Sequence, residues 1–184
     1  MPSVITTRKP DVSIDTTKKP LIVGLGNLLR GDEGVGVHAA KHLMKQFDDR
    51  CDVDVLDGGT LGLSLIEPIA GASAVILIDA VNLQTTPGRA QVFVGAGLDR
   101  FIVNLKTRTA HDVNLVDLTN ALRLIDCLPQ ARALIAIQPQ TLQWATDLTP
   151  PVDAVLSTLP VFCDQLLAFW RQPSSVPKAS WIMS

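Results

Sequence analysis

The run Leu21-Ile22-Val23-Gly24-Leu25-Gly26-Asn27-Leu28-Leu29-Arg30-Gly31-Asp32-Glu33-Gly34-Val35-Gly36-Val37 decides how this chain is read. A short apolar stretch meets a glycine-rich turn, then two adjacent carboxylates, then an amphipathic segment. That order predicts a buried strand over 21–25, a tight loop, and a helix opened by Asp32 or Glu33. Open α/β sheets bind their ligands at the carboxyl ends of the strands, so acids at this junction fall where sites are built.

Outward from that junction the same alternation repeats. The helix extends to about residue 47, with Val35, Ala39, Leu43 and Phe47 on its apolar side and Lys41 and Lys45 facing solvent. A second strand over 53–56 ends in Asp57-Gly58-Gly59-Thr60 and is followed by a helix over 62–70. The continuously apolar run 74–78 ends in Asp79, as a central strand buried on both faces does. Pro87-Gly88 turns the chain into an edge or antiparallel strand over 90–94, and 95–110 reads as loop. A helix over 112–125 is expected to bury Leu115, Leu118, Leu122 and Ile125, and a fifth strand over 133–137 is closed by Gln138-Pro139. Thr149-Pro150-Pro151 opens the last helix, the hydroxyl as cap and proline where no donor is needed. That helix runs toward Trp170, with a break expected at Pro160. The alternation predicts one three-layer α/β domain over 20–172, its mostly parallel sheet lying between helices. Residues 1–19 read as a flexible arm and 173–184 as a loose tail.

Composition removes several function classes. Hydrophobic residues make up 47% of the 184 and charged residues 18%, an ordinary globular balance. A net charge of −2 gives no electrostatic footprint for nucleic acid or an anionic membrane. No apolar run is read as reaching membrane-spanning length, and the basic residues near the start flank no signal-type apolar stretch. Cys51, Cys127 and Cys163 form neither a CxxC pattern nor a disulfide framework, which fits a reducing cytoplasm.

Four side chains with site chemistry sit where strands or loops hand over to helices: Glu33, Asp57, Asp79 and His111. In a parallel sheet those handovers share one edge. Two carboxylates and an imidazole are a mixed oxygen and nitrogen set suited to a borderline divalent metal such as nickel, zinc, iron or cobalt. Three protein ligands also leave positions open for water or substrate. The same acids equally read as helix caps that favour the macrodipole. A dinucleotide fingerprint starting at Gly24 fails, because Leu29 stands where its last glycine belongs and Asp32-Glu33 would oppose a pyrophosphate. His38 and His42 share a helix face, but Ala39 occupies the place of a zincin glutamate, and that face reads as solvated. No serine or cysteine stands in a nucleophile motif.

The run from Gly24 through Gly36, with Asn27, Leu29, Asp32, Glu33 and Gly34, closely resembles the hallmark of the [NiFe]-hydrogenase maturation endopeptidases. Asp57-Gly58-Gly59-Thr60 is similar to the family's second motif, Asp79 and His111 match its remaining metal positions, and Gln138-Pro139 and Thr149-Pro150-Pro151-Val152 also look like family sequence. The resemblance spans roughly residues 21–170. It implies a phosphorylase/hydrolase-like fold with a twisted five-stranded sheet. It implies an endopeptidase that removes the C-terminal extension of a hydrogenase large-subunit precursor after nickel insertion. Glu33, Asp79 and His111 would then ligate nickel supplied by the substrate. Asp57 would line the same cleft, and Glu33, Asp79 or Asp57 would serve as general base. A nickel-binding chaperone that docks on the precursor without cutting it would use the same ligands.

Overall fold

In the computed structural model, which describes residues 14–105, 113–171 and 182–183, the run 21–25 is strand β1 (Leu21–Leu25), buried along its length. A strand buried on both faces has to lie inside a sheet. β1 pairs in parallel with β2 (Asp54–Gly59) on one side and with β3 (Ala74–Ala80) on the other. β4 (Ala90–Val94) and β5 (Ala131–Ile137) complete the main sheet, β5 parallel to β3 and β4 antiparallel to β5. Ile182–Met183 forms a short β6 against β4, so the segment expected to be a loose tail supplies an edge strand. The order is β2-β1-β3-β5-β4-β6. The chain leaves β1 for one side and returns past it to the other. This makes the carboxyl ends of β1 and β3 the topological switch point.

The helices are α1 (Val35–Gln46), α2 (Ile66–Ala70), α3 (Ala96–Leu105), α4 (Val113–Leu124), α5 (Pro150–Asp153) and α6 (Leu159–Arg171). Alternate residues of the strands feed two cores. Ile22, Ile76, Ile78 and Ile135 pack under α1, α5 and α6. Val23, Val75, Leu77 and Leu134 pack under α2, α3 and α4. This is the three-layer arrangement expected, and Val35, Ala39, Leu43 and Phe47 all reach the core.

Five local expectations are corrected. The stretch expected as loop holds α3, where Leu98 and Ile102 are buried one turn apart and Phe101 stacks on Phe93 with ring centroids 3.8 Å apart. A single buried pair beside Gly95 and Gly97 gives the sequence too short a period to register. Ile125 lies beyond α4 and is half exposed. The break in the last helical run is a 3-10 stretch, Ala154–Thr158, ahead of Pro160; the proline stands second in α6, where no donor is required. Ile14 packs against the α1 side of the core, so contact with the domain begins before residue 20. The run 150–171 is long and apolar enough to span a membrane by length and composition, contrary to the sequence reading. Its Val152, Leu159, Cys163 and Leu166 instead fill the core beneath the sheet.

Candidate active site

The glycines of the opening motif answer to close packing. A Cβ on Gly36 would overlap the carbonyls of Leu25 and Ile78, and one on Gly24 would overlap the carbonyl of Gly36. Gly26 has φ 130°, and a Cβ there would run into the carbonyl of Glu33. Bare backbone thus lets α1 sit directly over β1 and β3 and folds the acidic turn back onto the strand end. That turn is a 3-10 segment, Gly31–Gly34, with no side-chain cap, so Asp32 and Glu33 are not the helix caps they resemble.

Asp32 is fully buried at 0% exposure. Its carboxylate accepts from the amides of Gln140 (2.8 Å), Thr141 (3.1 Å) and Thr149 (2.7 Å) and from the Thr149 hydroxyl (2.9 Å). Thr149 therefore spends its hydroxyl on Asp32 and does not cap α5. Gly31 N donates to Ala145 O and Ala145 N to Leu29 O, zipping the 139–149 segment to the acidic loop. A buried carboxylate is tolerable when several donors converge on it. Gln138 works similarly nearby: its Oε1 accepts from Leu83 N at 2.7 Å and holds the segment after β3. Sequence reasoning gave neither Asp32 nor Gln138 a role of its own. The only available signal was their place inside motifs.

These loops enclose a cleft of about 290 Å³ at the switch point. Glu33 and Arg30 enter from the β1–α1 turn, Gly59 and Thr60 from the end of β2 and the residue after it, Asp79 and Asn82 from the end of β3 and the loop beyond, and Pro139 and Leu142 from the loop after β5. Leu65, Leu115 and Leu118 form an apolar floor. Two of the expected acids, Glu33 and Asp79, thus meet in one cavity. Asp79 Oδ1 accepts from Ala80 N at 2.8 Å. Glu33 Oε2 forms an ion pair with Arg30 Nη1 at 2.7 Å and has no further partner among the described residues. One guanidinium contact occupies only part of a carboxylate's acceptor capacity, so the group can still receive a cation or a water proton.

Asp57 does not line this cleft. In β2, Val55 packs on the α1 side and Leu56 on the α4 side, and Asp57 shares the parity of Val55. Asp79 shares the parity of Val75 and Leu77, so the pleat sends the two acids to opposite faces. Asp57 Oδ1 accepts from Gly59 N, shaping the turn that brings Gly59 and Thr60 to the cleft. His111 lies outside the described residues. Among the described residues no three His, Cys, Asp or Glu side chains cluster as metal ligands. His38 and His42 are half-buried, not on the open solvated face expected of them, and His38 Nε2 finds no partner among the described residues.

A mostly parallel α/β sheet with two carboxylates in a cleft at its switch point is the layout of an α/β enzyme whose site lies at the strand ends. The chain belongs to the hydrogenase maturation protease family, whose HycI family model matches residues 37–160. It is 34% identical over 152 residues to the hydrogenase expression/formation protein HupD of Bradyrhizobium diazoefficiens, covering 82% of this chain and 78% of the relative. The hydrogenase 2 maturation protease of Escherichia coli is 29% identical, covering 83% of this chain and 90% of that protein. Among solved structures, the hydrogenase maturating endopeptidase HybD from E. coli superposes with a TM-score of 0.67 at 27% identity, covering 82% of this chain and 91% of that one. The protein is therefore a protease of the α/β fold expected.

Proposed function

We propose that this protein removes the C-terminal extension of a [NiFe]-hydrogenase large-subunit precursor once nickel has been inserted, acting in the cytoplasm. The observation that carries the reading is the meeting of Glu33 and Asp79 in one cleft at the switch point. Family membership supplies the class of reaction. Nickel enters as part of the substrate, and Glu33, Asp79 and His111 are the residues that would meet it. The three unpaired cysteines suit a reducing compartment.

Two routes to cleavage use these residues. In one, Glu33, Asp79 and His111 would meet the nickel carried by the precursor, and that ion would supply Lewis-acid polarisation of the scissile carbonyl. Alternatively nickel only docks the precursor, and Glu33 or Asp79 takes a proton from water as it attacks the carbonyl, then returns it to the departing amine. The second route makes the enzyme aspartic-type in chemistry. Asp57, turned to the other face, shapes the Gly59 turn and takes no proton in either route. A chaperone that docks without cutting is not favoured, since the relatives include named proteases and endopeptidases.

Intact mass of the precursor over time tests the reading. Nickel-loaded precursor is expected to lose its extension, and nickel-free precursor to stay whole. Glu33→Gln, Asp79→Asn and His111→Gln are each expected to fold and to slow processing by about a hundredfold or more. Normal processing by any one of them removes that residue from the site.

A further inference from the structure

We propose that the 139–149 segment is the substrate-recognition wall of the cleft. Leu142 and Trp144 receive an apolar side chain of the polypeptide beside the scissile bond, and buried Asp32 is the positioning residue that holds them in place. The inference rests on the endopeptidase reading and adds to it a class of side chain and the residues that select it. Leu142 lines the cleft that holds Glu33 and Asp79 and is 45% exposed. Trp144, two residues on, is 80% exposed, and Leu29, whose carbonyl accepts from Ala145 N, is exposed as well. Leu142 thus lies in the cleft, with Trp144 beyond it on the same segment and Leu29 on the segment bonded to it, whereas the exposed pair Leu124 and Ile125 lies away from it at the far end of α4. Isolated exposed leucines are ordinary, but an exposed tryptophan grouped with leucines at a cleft marks a contact surface.

The wall does not drift. Asp32 grips the segment near its start, at the amides of Gln140 and Thr141, and at its end, at Thr149. The Gly31–Ala145–Leu29 bridge fastens its middle. An apolar surface fixed in advance loses little side-chain and loop freedom on binding, which is what makes such anchors effective. The same carboxylate belongs to the residue preceding Glu33, so wall and catalytic acid are set in register by one turn. A protease cleft receives an extended polypeptide, and an uncharged tryptophan and leucine on its rim select an apolar side chain.

The test follows processing of the nickel-loaded precursor and, separately, its binding to the protein measured by rapid mixing before cleavage proceeds. Trp144→Ala and Leu142→Ala are expected to raise KM about tenfold, leave kcat within about twofold, and weaken binding in parallel. Trp144→Phe should recover most of the loss, and Leu124→Ala should change nothing. Asp32→Asn should raise KM in the same direction, and combined with Trp144→Ala it should add less than its separate effect. Unchanged KM and binding in both Trp144→Ala and Leu142→Ala would overturn the inference, whatever Asp32→Asn does to folding. Precursor that is bound but never cut sinks the endopeptidase reading alone, because the binding assay still decides the role of the wall. Precursor neither bound nor cut by the unaltered protein overturns both.

Discussion

Asp32 and Glu33 are chain neighbours with different fates, and the 3-10 turn is the reason. With about three residues per turn, adjacent side chains point roughly a third of a circle apart. One therefore reaches the backbone donors of the 139–149 segment while the other faces the cleft. Among the cysteines, Cys163 is fully buried in α6, and burial pushes its thiol up to about 12. Cys51 and Cys127 are exposed. A thiol reagent is expected to label the two exposed cysteines in the folded protein and Cys163 only on unfolding. Because the folded value is raised above the ordinary 9.0, the buried thiol's contribution to stability is complete below that pH and is lost as pH rises toward about 12. Urea melts across that range should show the decline, and Cys163→Ala should flatten it. Prompt labelling of Cys163 in native protein would contradict the packing described.

At the scale of elements, α1 sits where it does because two carbonyls, of Leu25 and Ile78, lie where a Gly36 side chain would be. Gly36→Ala must push the helix off the sheet. The expected loss is about 1–3 kcal/mol or more, read by denaturant unfolding, as for other overpacked sites. The same displacement would shift Glu33 in the turn that leads into the helix, so activity should fall even where the variant folds. A variant as stable and active as the parent would mean the helix has room that the geometry denies. Elements with a long period, such as α1 and the apolar strands, could be read from the sequence. α3 could not, since among the described residues Leu98 and Ile102 are its buried pair, and its further contacts, Phe101 on Phe93 and Asp99 with Arg123 and Arg132, are made to distant elements.

At the scale of the molecule, an ionic clasp joins the α1–β2 connection to α6. Arg50 makes a paired contact to Asp52 at 2.9 Å and also binds Asp164, its guanidinium lying 4.5 Å above the Phe47 ring. Arg171 reaches Asp52 from the end of α6 at 2.6 Å. The Arg50 hydrogen bonds hold the Asp52 carboxyl well below the usual carboxylate range. A depressed folded value stabilises the protein above the unfolded carboxylate pKa, about 4, and the contribution is lost as pH falls through the folded value. Exposed pairs are worth only about 0–1 kcal/mol each, so the effect is modest. Arg50→Met keeps the stem over Phe47 and removes the charge. Its deficit in melting temperature should be present at neutral pH, narrow as pH drops below about 4, and shrink in high salt. A deficit independent of pH and salt would assign the clasp to packing alone.

The sequence by itself determined β1 to β5, the long helices and the three layers, because apolar periodicity and glycine placement are local and survive without neighbours, and its motifs carried the resemblance to the family; α3 and β6 lay beyond it. It also placed Glu33 and Asp79 correctly at strand and loop ends. Only the tertiary structure decided which acids share a cavity. Pleat parity, fixed by which face α1 covers, sends Asp57 away from Asp79 although both end parallel strands. Only the folded chain revealed that Asp32 is a latch, since its donors lie more than a hundred residues away at Gln140, Thr141 and Thr149. A carboxylate's role is set by whatever donors or open space the fold brings to it, and that information is not carried by its own segment.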